Sequence, residues 1–465
     1  MSRIILGIDI GSSEICAIVA EVKDDGSPYI IGTGIHKADG IKKGSVTNIE
    51  LASRAIRSAV NDAARVSGER VDKAIISLSG AYTKSIRESA VVNVPNSEIG
   101  LKEINRVMQT AIYNAVIPED HTLIHALPYE FRLDDQNYAE DPMGMSASRL
   151  EAFVHIVTAK KTALENLKRA VRESGVEIEN IVLSAYASSI AVLSNEEKEL
   201  GVACIDMGGQ TCDLMIYSGY SMRYSDFLSV GSHNITIDLA TALNAHPSTA
   251  EQIKTEYGKL ILTDEDKEKS IKVPVMAGEN ATTNVSLEIV HAVISARVEE
   301  TLQLLAKSIE QSGLKDKIGA GITLTGGMAN LEGMQEFASS IFFRKPVRIS
   351  KPMSVGGLFD GLKGTQSATA VGLVLHGAGQ HTNYEMDFDK KILYKRSSVI
   401  ENNDVGSIGL SKDASQADLS SLKITQNTGD LSGIKTTQED KHDNIFMRFY
   451  KWVSQLFSGS NNGKY

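Results

Sequence analysis

The sequence predicts an α/β protein whose two halves repeat one design, and three observations carry that prediction. Short β-branched runs alternate with longer amphipathic segments through residues 1–380. A strand that ends in an aspartate and a glycine–hydroxyl turn occurs at Gly7-Ile8-Asp9-Ile10-Gly11-Ser12-Ser13. The same arrangement returns in the second half at Cys204-Ile205-Asp206-Met207-Gly208-Gly209-Gln210-Thr211. At about 150 residues per domain, 465 residues make roughly three domain-sized units.

The elements follow in chain order. Apolar, β-branched runs predict strands at 4–10, 15–21, 73–78, 202–206, 213–217 and 322–324. Helical periodicity predicts helices at 49–66, 102–114, 162–174, 184–193, 233–243, 249–257 and 287–311. In the last of these Ile289, Val293, Val298, Leu302, Leu305 and Ile309 recur at near-helical spacing, so one face should lie against a sheet. From Lys395 to Asn444 no aromatic residue occurs. Such a stretch buries too little apolar area to offset its ordering entropy, so residues 381–440 are expected to form a disordered linker.

Charge and cysteine usage exclude several classes. A net charge of −10 gives no electrostatic footprint for nucleic acid. Cys16, Cys204 and Cys212 lack the spacing of a disulfide scaffold or a structural zinc site, and three cysteines suit a reducing compartment. The run 4–10 is too short and too polar for a signal peptide, and no stretch reaches the ~18 apolar residues that span a bilayer. A cytoplasmic protein is expected.

Each hairpin can bind phosphate, because backbone N–H groups in a glycine turn can point at its oxygens. A carboxylate at the strand end can hold magnesium through water. A third element, Ile322-Thr323-Leu324-Thr325-Gly326-Gly327-Met328-Ala329, places paired glycines after a strand, where a flat ring can approach the backbone. At these stretches residues 1–380 resemble the actin-like ATPase superfamily, as does Thr369-Ala370-Val371-Gly372-Leu373 as a closing helix. Within it the chain is most similar to the FtsA family of bacterial division proteins. Gly40-Ile41-Lys42-Lys43-Gly44-Ser45-Val46-Thr47-Asn48-Ile49, Leu127-Pro128-Tyr129-Glu130-Phe131 and the polar linker with its terminal amphipathic helix carry that likeness.

The resemblance implies an actin-like two-lobed fold with ATP and Mg2+ between the lobes. It divides the chain into a first-lobe subdomain (1–81 and 159–195) and an FtsA-type inserted subdomain (82–158). The second lobe takes 196–230 and 308–380, the latter including the closing helix, with a smaller subdomain at 231–307. It assigns Gly11, Ser12, Ser13, Gly208, Gly209, Gln210 and Thr211 to phosphates, Asp9 and Asp206 to the hydrated metal, and Gly326, Gly327 and Met328 to adenine. Glu251 and Lys254 match the ribose-contacting pair, three apart on one helical face. It further implies self-association into filaments and binding of the FtsZ C-terminal tail on the smaller subdomain, with Arg297 and Glu300 as contacts. Later division proteins would also be recruited.

Departures from the family pattern point to binding with slow or negligible turnover. Gln210 replaces a third glycine and is expected to strain or reshape the turn if that position needs positive φ. Cys16 stands where actin has a phosphate-binding lysine, and Ser184 where relatives place a Gln or Glu to orient water. Rod-shape and pilus-assembly relatives, and more distantly sugar kinases, remain alternatives. The tail adds an independent reading. At 100° per residue Trp452, Ile445, Leu456, Phe449, Val453, Phe446 and Phe457 fall within an arc of roughly 140°, with Arg448 and Lys451 opposite. Residues 441–457 are therefore expected to lie on anionic membrane lipid as an amphipathic helix, at the cytoplasmic face of the division septum.

Overall fold

The computed structural model describes residues 3–134, 137–274, 276 and 282–394. The predicted polar stretch beyond residue 394 and the predicted helix at 441–457 lie outside the described residues.

Two five-stranded sheets share one plan. In the first, Arg3–Ile10, Glu14–Val22 and Pro28–Lys37 form an antiparallel meander, and Lys73–Leu78 and Glu177–Leu183 add in parallel beside Arg3–Ile10. In the second, Val202–Met207, Cys212–Ser218 and Ser221–Leu228 form the meander, with Gly321–Thr325 and Val347–Ile349 parallel to it. This is the duplicated α/β design expected from the two hairpins. The registers correspond as well: Asp9 faces Cys16 in the first hairpin, and Asp206 faces Asp213 in the second.

Small residues set the helix packing. Helix Ile49–Ser67 starts at Asn48, whose side chain accepts from the Leu51 amide, and stops at Gly68, whose φ of 74° ends it in a left-handed cap. Its buried face is Ala52, Ser53, Ala55, Ile56, Ala59 and Ala63. It lies so close on Pro28–Lys37 that a Cβ at Gly34 would stand 2.1 Å from the Ala59 carbonyl. Closing helix Ala368–Gly377 packs on Ser184–Val192, and a Cβ at Gly372 would meet the Ala187 carbonyl at 1.8 Å. Among the described residues no helix is long and apolar enough to cross a membrane.

Between Lys73–Leu78 and Glu177–Leu183 the chain builds a separate sheet from Thr83–Asn93, His121–Leu133 and Arg149–Lys160, covered by helix Leu101–Asn114. Its own core includes Ile104, Val107, Met108, Leu150, Val154 and Ile156.

The linker expected from residue 381 is corrected over residues 381–394, which are folded. Glu385–Met386 and Ile392–Leu393 add strands to the edge of the inserted sheet, with Met386 opposite Ala126. Tyr384 sits edge-on to Phe131 and stacks on Tyr394, and its hydroxyl donates to Asp141 at 2.6 Å. Fully buried Glu385 accepts from the Tyr186 hydroxyl (2.5 Å) and pairs with the His376 ring at 2.9 Å. Burial alone would raise its pKa, but His376 first, then His125 and His381, bring it down to about 2. Specific partners of this kind hold a short strap that composition assigns to the linker.

Candidate functional site

A cleft of about 500 Å3 lies where the two hairpins meet. Its lining brings together Asp9, Gly11, Ser12, Ser13, Asp206, Gly208, Gly209 and Thr211 from the hairpins. From further elements come Glu251, Lys254, Gly326, Gly327 and Met328. Gly11 and Gly208 close their turns through amide bonds to the carbonyls of Glu14 (3.1 Å) and Thr211 (2.8 Å). The two tips touch: a side chain at Gly209 would stand 1.8 Å from the Ser13 hydroxyl. Gly326 has φ of 85°, and a Cβ there would meet Asp206 Oδ1 at 2.4 Å, so no other residue fits this turn.

Gln210 is a correction. It does not line the cleft, and it is absent from the positive-φ residues, so no strain arises. Its Oε1 instead accepts from the Lys43 amide at 2.9 Å, while the next amide, that of Gly44, donates to Ser12 Oγ at 2.9 Å. One loop of the first lobe therefore holds both hairpins, and an amide side chain makes the contact that glycine could not.

Glu251 and Lys254 sit on helix Pro247–Tyr257 as the spacing implies, with Glu251 half exposed and only Lys254 withdrawn from solvent. Lys254 is buried, and its ammonium donates to Glu251 Oε2 (2.8 Å), Ser232 Oγ (2.7 Å) and Thr236 Oγ1 (3.0 Å). Thr236 donates to the same Glu251 oxygen at 2.5 Å, and although burial opposes it, these donors keep the Glu251 pKa below the usual value.

Sequence reasoning missed Asp213, Ser79 and Gly44, which also line the cleft. Asp213 is the position equivalent to Cys16 in the duplicated register, so the second hairpin carries two carboxylates where the first carries one and a buried thiol. Asp9, Asp206 and Asp213 all line the cleft, Asp213 buried and the other two half-buried. Burial chiefly, and then the neighbouring carboxylates, raise Asp9 to about 7 despite a hydrogen bond from Ser77. Asp213 rises to about 7 through burial and the Asp206 charge, against hydrogen bonds from Gly80 and Thr211. Burial raises Asp206 too, opposed by Thr369 and Ser188. Three carboxylates that resist ionising together suit an incoming cation. Among the described residues no group of three His, Cys, Asp or Glu side chains could hold a metal ion directly.

Arg297 and Glu300 lie elsewhere, on the 25-residue helix Leu287–Gln311. Both guanidinium edges are engaged: Nε and one terminal nitrogen reach Asp238 at 2.5 and 3.0 Å, and the other terminal nitrogen reaches Glu300. The pair meets as its spacing implies, but the arginine fork is spent on Asp238 of helix Ser232–Ala242.

Comparison with known proteins follows the same division of the chain. Residues 203–372 match the family described as "Cell division protein FtsA", and residues 80–158 match "SHS2 domain inserted in FTSA". Cell division protein FtsA of Helicobacter pylori (strain ATCC 700392 / 26695) is 41% identical over 424 residues, 85% of this chain and 86% of that protein. The Pseudomonas aeruginosa protein of the same name is 35% identical over 375 residues (81% and 89%). The one from Escherichia coli K12 is 30% identical over 406 (86% and 96%). A solved structure titled "PilM-PilN type IV pilus biogenesis complex" aligns with a TM-score of 0.57 at 18% identity, covering 80% of this chain and 98% of that one. At that identity it speaks to the fold, which is the actin-like one. With relatives at 30–42% identity along most of its length, the chain belongs to the FtsA family of cell division proteins.

Proposed function

We propose that this protein binds ATP with Mg2+ in the cleft, polymerises on the cytoplasmic face of the membrane, and ties the FtsZ ring to that membrane during division. The observation that carries the nucleotide reading is the convergence of both phosphate-type hairpins, Lys254–Glu251 and Gly326–Gly327 on one cleft. Gly11 to Ser13 and Gly208, Gly209 and Thr211 would hold phosphates, Glu251 and Lys254 the ribose, and Gly326 to Met328 the adenine. Asp9 and Asp206 would hold Mg2+ through its waters, and the ion would neutralise phosphate and carboxylate charge together. Ser184 lines the cleft with a short hydroxyl and has no basic group to offer an attacking water, which fits slow turnover.

The tether is the amphipathic segment 441–457. Its apolar face of Ile445, Phe446, Phe449, Trp452, Val453, Leu456 and Phe457 would enter the interface, with Arg448 and Lys451 toward anionic headgroups. Full-length protein should sediment with anionic vesicles and shift Trp452 emission to the blue, and removal of 441–465 should abolish sedimentation while leaving ATP binding unaffected. Emission that is already blue and unresponsive to lipid would mean the segment docks on protein.

The FtsZ tail would dock on the smaller subdomain of the second lobe, beside Arg297 and Glu300, and later division proteins would join the filament. Because Arg297 clamps Asp238, Arg297→Glu would gather three carboxylates and destabilise the helix pair. Arg297→Lys is the cleaner probe, since lysine keeps the charge and loses the fork. By loosening the Asp238 pair it should lower the thermal midpoint by roughly a few degrees, and it should weaken FtsZ tail-peptide binding about tenfold. Unchanged affinity would remove Arg297 from that surface.

A further inference from the structure

We propose that the Ser79–Gly80 step is a nucleotide-sensing joint at the root of the inserted subdomain: Ser79 donates to the phosphate end of the bound nucleotide, and the Gly80–Asp213 bond passes cleft occupancy to the insert. The proposal rests on the ATP reading above.

The strand Lys73–Leu78 delivers its C-terminal end into the cleft, where the Ser77 hydroxyl donates to Asp9 (2.9 Å) and accepts from the Ile10 amide (2.8 Å). Ser79 lines the same cleft, yet its buried Oγ has no hydrogen-bond partner among the described residues. It stands beside the phosphate-type turn of the first lobe. A Cβ at Gly44 would meet it at 2.3 Å, and the Gly44 amide is bonded to Ser12. Buried hydroxyls are almost always partnered, so one left unpaired in the wall of a phosphate-type cleft points to a ligand oxygen.

Gly80 then crosses the lobes. Its amide donates to Asp213 Oδ1 at 2.8 Å, and a Cβ there would lie 2.7 Å from that oxygen and 2.9 Å from Phe227 Cβ. No slack follows. Thr83 bonds back to the Gly80 carbonyl through its amide (3.0 Å) and its hydroxyl (2.6 Å), and strand Thr83–Asn93 of the insert begins at once. The returning strand closes the joint, because the Lys160 amide donates to the Tyr82 carbonyl at 3.0 Å. Tyr82 itself has φ of 64°, a conformation held only where its surroundings fix it. A ligand gripped by both hairpins fixes Asp213 of one lobe against Gly80 of the other. Local opening of the joint, which requires the two to part, becomes rarer.

The test uses the full chain with Mg·ATP. Ser79→Ala removes a hydroxyl that no group among the described residues uses, so the thermal midpoint without nucleotide should hold while calorimetry shows affinity down about tenfold or more. In the wild type, amide exchange over residues 79–83 should slow about tenfold on adding Mg·ATP. In Gly80→Ala, whose extra methyl group strikes Asp213, that response should be lost even if binding persists. Wild-type affinity in Ser79→Ala, or binding with no change in exchange at 79–83, overturns the joint and leaves the cleft reading intact. No Mg·ATP binding by folded wild type overturns both.

Discussion

A chain ended after Gln380 should lose roughly 10 °C or more of thermal midpoint, whereas one ended after Tyr394 should melt close to the full chain. The shorter truncation removes Tyr384 and Met386, which are 1% and 0% exposed, and each such side chain contributes about 1.5–3 kcal/mol by burial. It also removes Glu385 and so leaves the Tyr186 hydroxyl and His376 without a carboxylate in the core. Each orphaned group costs about 1–3 kcal/mol. Together these approach a loss on the order of 6–10 kcal/mol, a large part of ordinary domain stability. Scanning calorimetry of the two truncations decides the matter. Equal midpoints would mean the strap contributes nothing and that residues 381–394 behave as the linker that composition suggests.

Nucleotide binding should release protons below neutrality and none well above it. Asp9 and Asp213 hold their protons in the folded protein up to about pH 7, where an unfolded aspartate ionises near 3.8. A group raised in this way favours the folded state most at low pH, and that preference is lost as pH rises from about 4 through 7. Buried His125, lowered by its burial to about 4, and His155, lowered likewise to about 3, have the opposite sign. Their contribution is present above about 6.5 and lost as pH falls toward those values, so the two pairs oppose each other in a simple stability profile. Ligand linkage separates them, because neither histidine lines the cleft. Mg·ATP requires ionised carboxylates, so binding at pH 6 should expel roughly one to two protons. Affinity should fall about tenfold per pH unit for each proton displaced. Calorimetry at pH 6 and 8.5, in buffers of different ionisation enthalpy, reads the proton count directly. Proton uptake on binding would contradict the electrostatic account.

What the sequence disclosed and what it withheld follow from how local each signal is. Asp9, Gly11, Asp206, Gly208 and Gly326 were legible because turn chemistry is written within a few consecutive residues. Asp213 and Ser79 were not. Their place in the cleft depends on strand register, which pairs Asp206 with Asp213 and sets Lys73–Leu78 parallel to Arg3–Ile10. The contact of Gln210 is not legible locally, because its partner, the Lys43 amide, is remote in sequence and belongs to the other lobe. The strap was hidden by the long polar stretch beside it, although Tyr384, Phe388 and Tyr394 marked its extent. Periodicity puts Arg297 and Glu300 on one helix face, but Asp238, on another helix, is found only in three dimensions.

The central claim is that one cleft between two duplicated halves takes Mg·ATP. Its most direct test is titration calorimetry of the full-length protein with ATP and with GTP, in the presence of Mg2+. One ATP per chain, with clear preference over GTP and loss of binding when Mg2+ is chelated, is the predicted result. Absence of any ATP binding by a protein whose circular dichroism and melting show it folded would contradict the account.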